Sequence, residues 1–334
     1  MLIPKGVQEN EIKQDLEKKG IKRIKQGGNW DAYDLGDRIL LIASDRINFS
    51  GFVLNDTIPH KGEIMTALTH FWCAYVLKTF PHPLLWSQDS PGKNAARDLK
   101  KELPKIPLNK SLVVKKINFL PYKFIFYHHL GEEIYEEYIR TGWAGDQNFP
   151  PDFPKWSKLG KPVAKIYLKN ETGKEITASE FKDKYGWKGE NWLEMCRGAY
   201  QLAYKQAERS GLLILKTELK GDLSSWTGEF LTPESSCFCT FSRWCRIMKE
   251  GKDIPDDDKL KDWAEKIATP FPGEKDENLA GLHNLDPRNK EHLNWVHGLK
   301  LPPGDINLRA EKSLKIFELL TGFHLREYQK KHLL

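Results

Sequence analysis

Two hydrophobic periodicities divide the chain. Residues 21–54 read as short strands and turns: Gly27-Gly28 marks a tight turn, and RILLIAS (Arg38–Ser44) is an apolar run of strand length. From Lys61 to Thr79 the spacing changes to three and four, with Ile64, Leu68, Phe71 and Tyr75 recurring, which predicts a helix. Pro81, Pro83 and Pro91 break regular structure beyond it. Ser111–His129 predicts two strands around Pro121, with His128 and His129 on opposite faces, one buried and one solvated. Glu132–Arg140 predicts a helix ending before Gly142, and residues 143–160, rich in Pro, Trp and Gly, predict a surface loop or inserted flap. Asn191–Ser210 predicts a long helix stopped by Gly211. A β section comes next in GLLILKTELKG (Gly211–Gly221) and WTGEFLTPESSCF (Trp226–Phe238), then an acidic-to-basic loop at Asp253–Lys261. Helices are expected at Asn289–His297 and Asp305–Leu320, the latter with Ile306, Ala310, Leu314, Phe317 and Leu320 on one stripe. Strands first, then mixed elements, then helices is an α+β order.

Composition narrows the classes. With 334 residues, 40% hydrophobic and 29% charged, the chain has enough apolar content for one large domain or two packed lobes. The net charge of +6 is spread along the sequence; nucleic-acid binding would need a clustered basic stripe with stacking aromatics, so no nucleic-acid partner is expected. Neither a signal peptide nor a membrane span is expected, because no apolar run is long enough. Five cysteines fit a reducing cytosol, which makes the expected location cytoplasmic. Cys237, Cys239 and Cys245 lack the paired spacing of a metal site and read as buried thiols, so no metal ligands are assigned. Trp143, Trp156, Trp187 and Trp192 are expected to be exposed and to suit an interface, or to pack the inserted loop.

Six ordered stretches carry a family resemblance. Tyr33–Trp72, containing SDR and KGE, is the first; SLVVKKINFLP (Ser111–Pro121) and YEEYIRTG (Tyr135–Gly142) come after it. GLLILKTELKG, GEFLTPESSCF (Gly228–Phe238) and LPPGDINLRAEKSLKIFELLTG (Leu301–Gly322) complete the set. Together they resemble the SAICAR synthetase family, over most of the chain. The resemblance implies a two-lobed α+β fold, with a β-rich, kinase-like N-terminal lobe over 1–115, an α+β lobe over 116–334 that carries the inserted loop near 143–160, and a site between the lobes. It also implies a ligase that condenses a carboxylated imidazole ribotide with aspartate, using ATP and magnesium. A homodimer is a further implication, and a purine-, nucleoside- or imidazole-like small molecule is the implied ligand.

The resemblance is weaker at the charged positions. The family's GKVRD becomes Gly27-Gly28-Asn29-Trp30-Asp31, which keeps Asp31 and loses a Lys and an Arg. Ser44, Asp45 and Arg46 match its SDR, Lys61 and Glu63 match its KGE, and Lys115 lies on the run that borders the adenine pocket. Asp45-Arg46 reads equally well as a structural ion pair at a strand end. The family's phosphate-holding Arg, Ser and second Arg align with Tyr127, Glu133 and Cys237, which removes the planar guanidinium donors suited to phosphate. Its Asp, Lys and Glu of DTKFEF align without a gap with Lys216, Glu218 and Lys220, which inverts each sign. A two-residue slip gives Glu218, Lys220 and Asp222 instead, on the same face. Gly228 replaces a metal-binding Asp, while Glu229, Ser235 and Ser236 are kept beside it.

Three readings compete. In the first, the chain is a repurposed enzyme of this fold, acting on a purine-, nucleoside- or imidazole-like metabolite. Lys216, Glu218, Lys220, Lys123 and Tyr127 would carry the chemistry; Asp31, Ser44, Asp45, Arg46, Lys61, Glu63, Lys115, Glu133, Glu229, Ser235 and Ser236 would bind the ligand. Mg–ATP, although implied by the family, is disfavoured by the ammonium groups, and the cofactor stays open. In the second, the chain is a genuine SAICAR synthetase with displaced ligands, such as Arg243 or Arg246 for a missing Arg. In the third, it is an inactive binding or regulatory protein.

Overall fold

The computed structural model describes residues 12–169, 174–223, 243–246, 254–255, 259–273 and 278–334. Helix α1 (Lys13–Lys18) leads into β1 (Arg23–Gln26), β2 (Trp30–Asp34) and β3 (Arg38–Ala43). The glycine turn joins the first two strands: Gly27 N–H donates to the Trp30 carbonyl at 2.9 Å. A hairpin of β4 (Arg46–Phe49) and β5 (Phe52–Thr57) precedes helix α2 (Lys61–Phe71). The α-helical part of the segment expected as one helix to Thr79 ends at Phe71, and a π-helical turn continues to Val76. Strand β6 (Ser111–Lys115) then pairs with β3, giving an antiparallel sheet in the order β1-β2-β3-β6.

Residues 116–121 cross to a second sheet. Strand β7 (Tyr122–His129) is followed by α3 (Glu132–Thr141), the small hairpin β8 (Trp143–Ala144) and β9 (Gln147–Asn148), and β10 (Lys158–Leu168). The flap expected over 143–160 thus contains a hairpin and the start of a strand. Strand β10 gave no clear signal because Gly160 and Pro162 interrupt its alternation, and its register with β7 shifts between Lys158 and Val163. Next come β11 (Glu175–Ile176), α4 (Ala178–Tyr185), α5 (Trp187–Arg209), β12 (Leu212–Leu219), β13 (Arg243–Arg246) and β14 (Ile254–Pro255). The sheet order is β11-β10-β7-β12-β13-β14. Beyond α6 (Lys259–Lys266), the pair β15 (Ala268–Pro272) and β16 (Asn278–Ala280), and α7 (Lys290–Gly298), helices α8 (Pro303–Thr321) and α9 (Leu325–His332) close the chain.

Alternation along β7 and β12 sorts the second sheet into two faces. Phe124 and Phe126 face α5, where Phe124 and Trp192 have ring centroids 4.1 Å apart. Trp192 is therefore core, contrary to the expected exposure, while Trp143 and Trp187 are exposed. The same core includes Leu41 of β3 and Ile64 of α2, and Phe317 and Tyr328 of α8 and α9. The closing helices thus return to α2 and tie the two sheets together through one apolar cluster. Ala310, Phe317 and Leu320 of the expected stripe are buried; Ile306 and Leu314 are partly buried against neighbouring clusters. Cys73 and Cys196 are buried free thiols, and Cys237 and Cys239 lie outside the described residues.

Candidate functional site

The other face of the second sheet carries the polar groups. Register pairs Lys216 with Tyr127, Glu218 with Ile125, and Tyr167 with Lys123. Towards α3, Lys165 is buried and bonds both Glu137 and Glu175 at 2.9 Å; burial works against its charge, but these two carboxylates more than offset it and raise its pKa. Tyr127 is buried with Leu130, Ile134, Tyr138, Leu159 and Val163. The Lys216 ammonium stands 5.8 Å from its ring centroid, within the range of a cation–π contact. The position that resembles a phosphate-binding Arg is thus part of an apolar cluster.

Towards the crossing segment the face becomes ionic. Glu218 accepts from Lys123 at 3.4 Å and from Lys220 at 3.2 Å. Lys169, just past β10, donates to the Leu120 carbonyl at 3.2 Å and lies over the Phe119 ring. Lys25 reaches the same region from β1, two residues before the glycine turn. Burial lowers the Lys25 pKa, and the Lys220 ammonium lowers it further. Burial and then Lys220 do the same to Lys169. Asp222 accepts the Asn118 N–H at 3.3 Å, and Leu120 N–H donates to the Gly221 carbonyl at 2.9 Å, so the end of the β12 segment is tied to the crossing between the sheets. Lys123 and Lys220 therefore share Glu218 where the two sheets meet, and Lys25 and Lys169 feel the Lys220 charge.

The sequence-selected residues separate into groups. Lys123, Glu218 and Lys220 meet at the junction; Tyr127 and Lys216 sit further along the same face. Asp31, Ser44, Arg46 and Lys61 instead hold the glycine turn from behind. Arg46 bonds Asp31 through both terminal nitrogens at 2.6 and 3.2 Å and donates to the Gly27 carbonyl at 2.7 Å. The Ser44 hydroxyl donates to the Gly28 carbonyl at 3.1 Å, and Lys61 donates to the Asn29 side-chain oxygen at 2.8 Å. The expected Asp45-Arg46 ion pair is replaced by two others: Arg46 takes Asp31, and Asp45 takes Lys110 at 2.8 Å while accepting the Gly62 N–H. Glu63 accepts from Gln329 at 2.6 Å, bridging α2 to α9. Lys115 is exposed at the end of β6. Glu229, Ser235 and Ser236 lie outside the described residues, as do the side chains of Glu133, Arg243 and Arg246. The Cα register nevertheless sets Arg243 opposite Lys216.

Both adjacent histidines are buried, correcting the half-solvated expectation. Tyr204 of α5 covers the strand end, bonding His129 at 2.9 Å and standing edge-on to His128 at 4.3 Å between centroids. Lys25 and Lys169 were not singled out from the sequence. Each is one lysine among many, and only the tertiary fold brings them within reach of the Lys220 charge.

Steric fit also explains a departure from the family pattern. A Cβ on Gly28 would lie 2.7 Å from the Asn48 Cγ and 2.9 Å from its Cβ. Gly28→Lys, which restores the family's residue, is expected to cost about 1–3 kcal/mol through overpacking. A lowered denaturation midpoint would show this; an unchanged midpoint would mean that Asn48 moves aside freely.

Magnesium, implied by the family resemblance, does not fit the described part of this site. The ion takes hard oxygen ligands, whereas the described face offers two carboxylates beside Lys216 and Lys220: Glu218, already bonded to two ammonium groups, and Asp222, which accepts the Asn118 N–H. Among the described residues no three His, Cys, Asp or Glu side chains are placed to hold a metal ion.

Comparison with known proteins places this site in a family. The SAICAR synthetase family profile matches residues 23–271. The chain belongs to the SAICAR synthetase family. Its relatives include the phosphoribosylaminoimidazole-succinocarboxamide synthase of Mannheimia succiniciproducens, 27% identical over 258 residues, which span 74% of this chain and 87% of that protein. The Thermodesulfovibrio yellowstonii protein of the same name is 28% identical over 239 residues, 68% of this chain and 78% of that one. A solved SAICAR synthase superposes with a TM-score of 0.70 at 20% identity, covering 95% of this chain and 98% of its own. The Saccharomyces cerevisiae SAICAR-synthase complexed with SAICAR gives 0.68 at 20% identity and the same coverage. The α+β fold expected from the family resemblance is the fold of these proteins. Among the described residues, no helix is long and apolar enough to cross a membrane.

Proposed function

We propose that this SAICAR synthetase-family chain is an ATP-dependent ligase that joins an amine to the carboxylate of an imidazole-like ribotide at the lobe junction. The supporting observation is the charged cluster where the two sheets meet: Lys123 and Lys220 share Glu218, and Lys169 bonds the Leu120 carbonyl of the crossing segment. Phosphate needs positive donors, and the Arg and Lys of the family motifs are absent at Tyr127 and Gly28. Lys25, Lys123, Lys169 and Lys220 supply ammonium donors by another route. In this role they neutralise phosphate charge while Glu218 holds Lys123 and Lys220 in place. The ligand is a small molecule, and a homodimer remains part of the proposal.

The test is ADP formation by the purified protein with ATP, carboxylated aminoimidazole ribotide and aspartate. ADP release that requires both other substrates is expected; its absence would sink the reading. Lys25→Gln with Lys220→Gln is expected to raise the KM for ATP tenfold or more, since hydrogen bonds to charged groups are worth about 1.5–3 kcal/mol each.

One observation favours a second reading, a repurposed enzyme whose substrate lacks the ribose phosphate. Tyr127 lies in an apolar cluster where the resemblance puts a phosphate-holding Arg. Turnover of the ribonucleoside as fast as the ribotide would select that reading, and strict dependence on the ribotide would remove it.

A further inference from the structure

We propose that the pocket between α5 and the strands β7 and β10 binds a small hydroxylated organic anion, at a site separate from the face of Lys216 and Glu218.

The pocket has a volume of about 420 Å³, within the range of small-molecule sites. His128 of β7, Lys158 of β10, and Gln201, Tyr204, Lys205 and Glu208 of α5 line it. His128 meets Tyr200 and Tyr204, on the α5 side of the second sheet, because alternate strand residues share a face with Phe124 and Phe126. Lys216 pairs with Tyr127 and so belongs to the opposite face.

Helical spacing gathers the α5 residues: Gln201 and Lys205 are four apart, as are Tyr204 and Glu208. The Lys158 ammonium bonds Glu208 at 2.8 Å and lies 4.7 Å from the Tyr204 ring centroid. Its long side chain is thus ordered before a ligand arrives, which reduces the entropy lost on binding. Glu208 spends its charge on Lys158, and Lys205 has no ion pair among the described residues. Two ammonium groups against one carboxylate favour an anion. Behind them the wall is polar but neutral. His128 is buried, and its Nδ1 has no hydrogen-bond partner among the described residues. Burial, with help from His129 and Lys158, pushes its pKa down to about 3, so the imidazole contributes hydrogen bonding and no charge. The Gln201 amide can donate and accept. Neutral polar groups beside exposed cations suit hydroxyls next to an acid group, and phosphate esters and carboxylates share that chemistry.

Saturation-transfer NMR of the full chain with glycerol 3-phosphate, glycerate and glycerol provides the test. Saturable binding of one or both anions, and none of glycerol, is expected; the anion that binds names the acid group. Lys158→Gln with Lys205→Gln is expected to weaken binding tenfold or more, and Lys220→Gln, on the opposite face, to leave it unchanged. Gln201→Leu, which keeps every charge, is expected to weaken it severalfold. Circular dichroism of each variant separates lost binding from lost folding. Absence of saturable anion binding, equal binding of glycerol, binding that survives the double lysine variant, or binding lost in Lys220→Gln would overturn the inference. Each of these outcomes leaves the ligase reading to its own assay.

Discussion

Arg46→Ala is expected to lower stability by about 3–5 kcal/mol, the range for breaking a buried ion pair on one side. The loss has three parts. Asp31, almost fully buried, is left with its charge facing protein rather than a guanidinium. The Gly27 carbonyl loses its donor, and the Arg46 backbone, which accepts from Lys61 at 2.6 Å, is free to shift. The glycine turn therefore loosens from the strand behind it. Denaturant unfolding of the variant checks the magnitude. Removing both partners in an Asp31→Ala, Arg46→Ala double variant is expected to recover part of the loss, because no unpaired buried charge remains. Full stability in Arg46→Ala, together with lost ligand binding, would show that Arg46 faces a ligand instead.

Acidification from about pH 6.5 to about pH 5 is expected to cost about 2 kcal/mol for each of two histidines. Burial pushes the His70 pKa down to about 4, despite the Gly92 carbonyl that accepts from its ring; His332 and Lys93 lower it further. Burial, then His129 and Lys158, push His128 down to about 3. A folded-state pKa below the unfolded value means that the unfolded chain binds protons first. The stability is thus complete above the ordinary histidine pKa and is lost as pH falls towards the folded values. His70 is placed to matter, since it also bonds the Tyr328 hydroxyl at 2.9 Å and so joins α2 to α9. His70→Asn is expected to remove about half of the pH dependence in urea midpoints measured at the two pH values. An undiminished slope in that variant would refute the assignment.

Much of the architecture was legible locally. The three- and four-residue spacing around Ile64 gave α2, and the apolar rows of Asn191–Ser210 and Asp305–Leu320 gave α5 and α8. Alternation gave β7 and β12, and placed Lys216, Glu218 and Lys220 on one face. Strand β10 was missed where Gly160 and Pro162 spoil the alternation, and the cost was Lys169, which that strand delivers. Helix α9 was missed because its polar sequence carries only a short apolar stripe, through Leu325 and Tyr328.

The sequence alone determined the family, the fold class and the alternating faces of the strands, because motif order and hydrophobic period are local and survive substitution. Tertiary structure decided the partners. It gave Arg46 to Asp31 rather than to its neighbour Asp45, buried both His128 and His129 beneath Tyr204, and carried Lys25 and Lys169 to Lys220. Charge pairing depends on distances between segments far apart in the chain, and no local period records those distances.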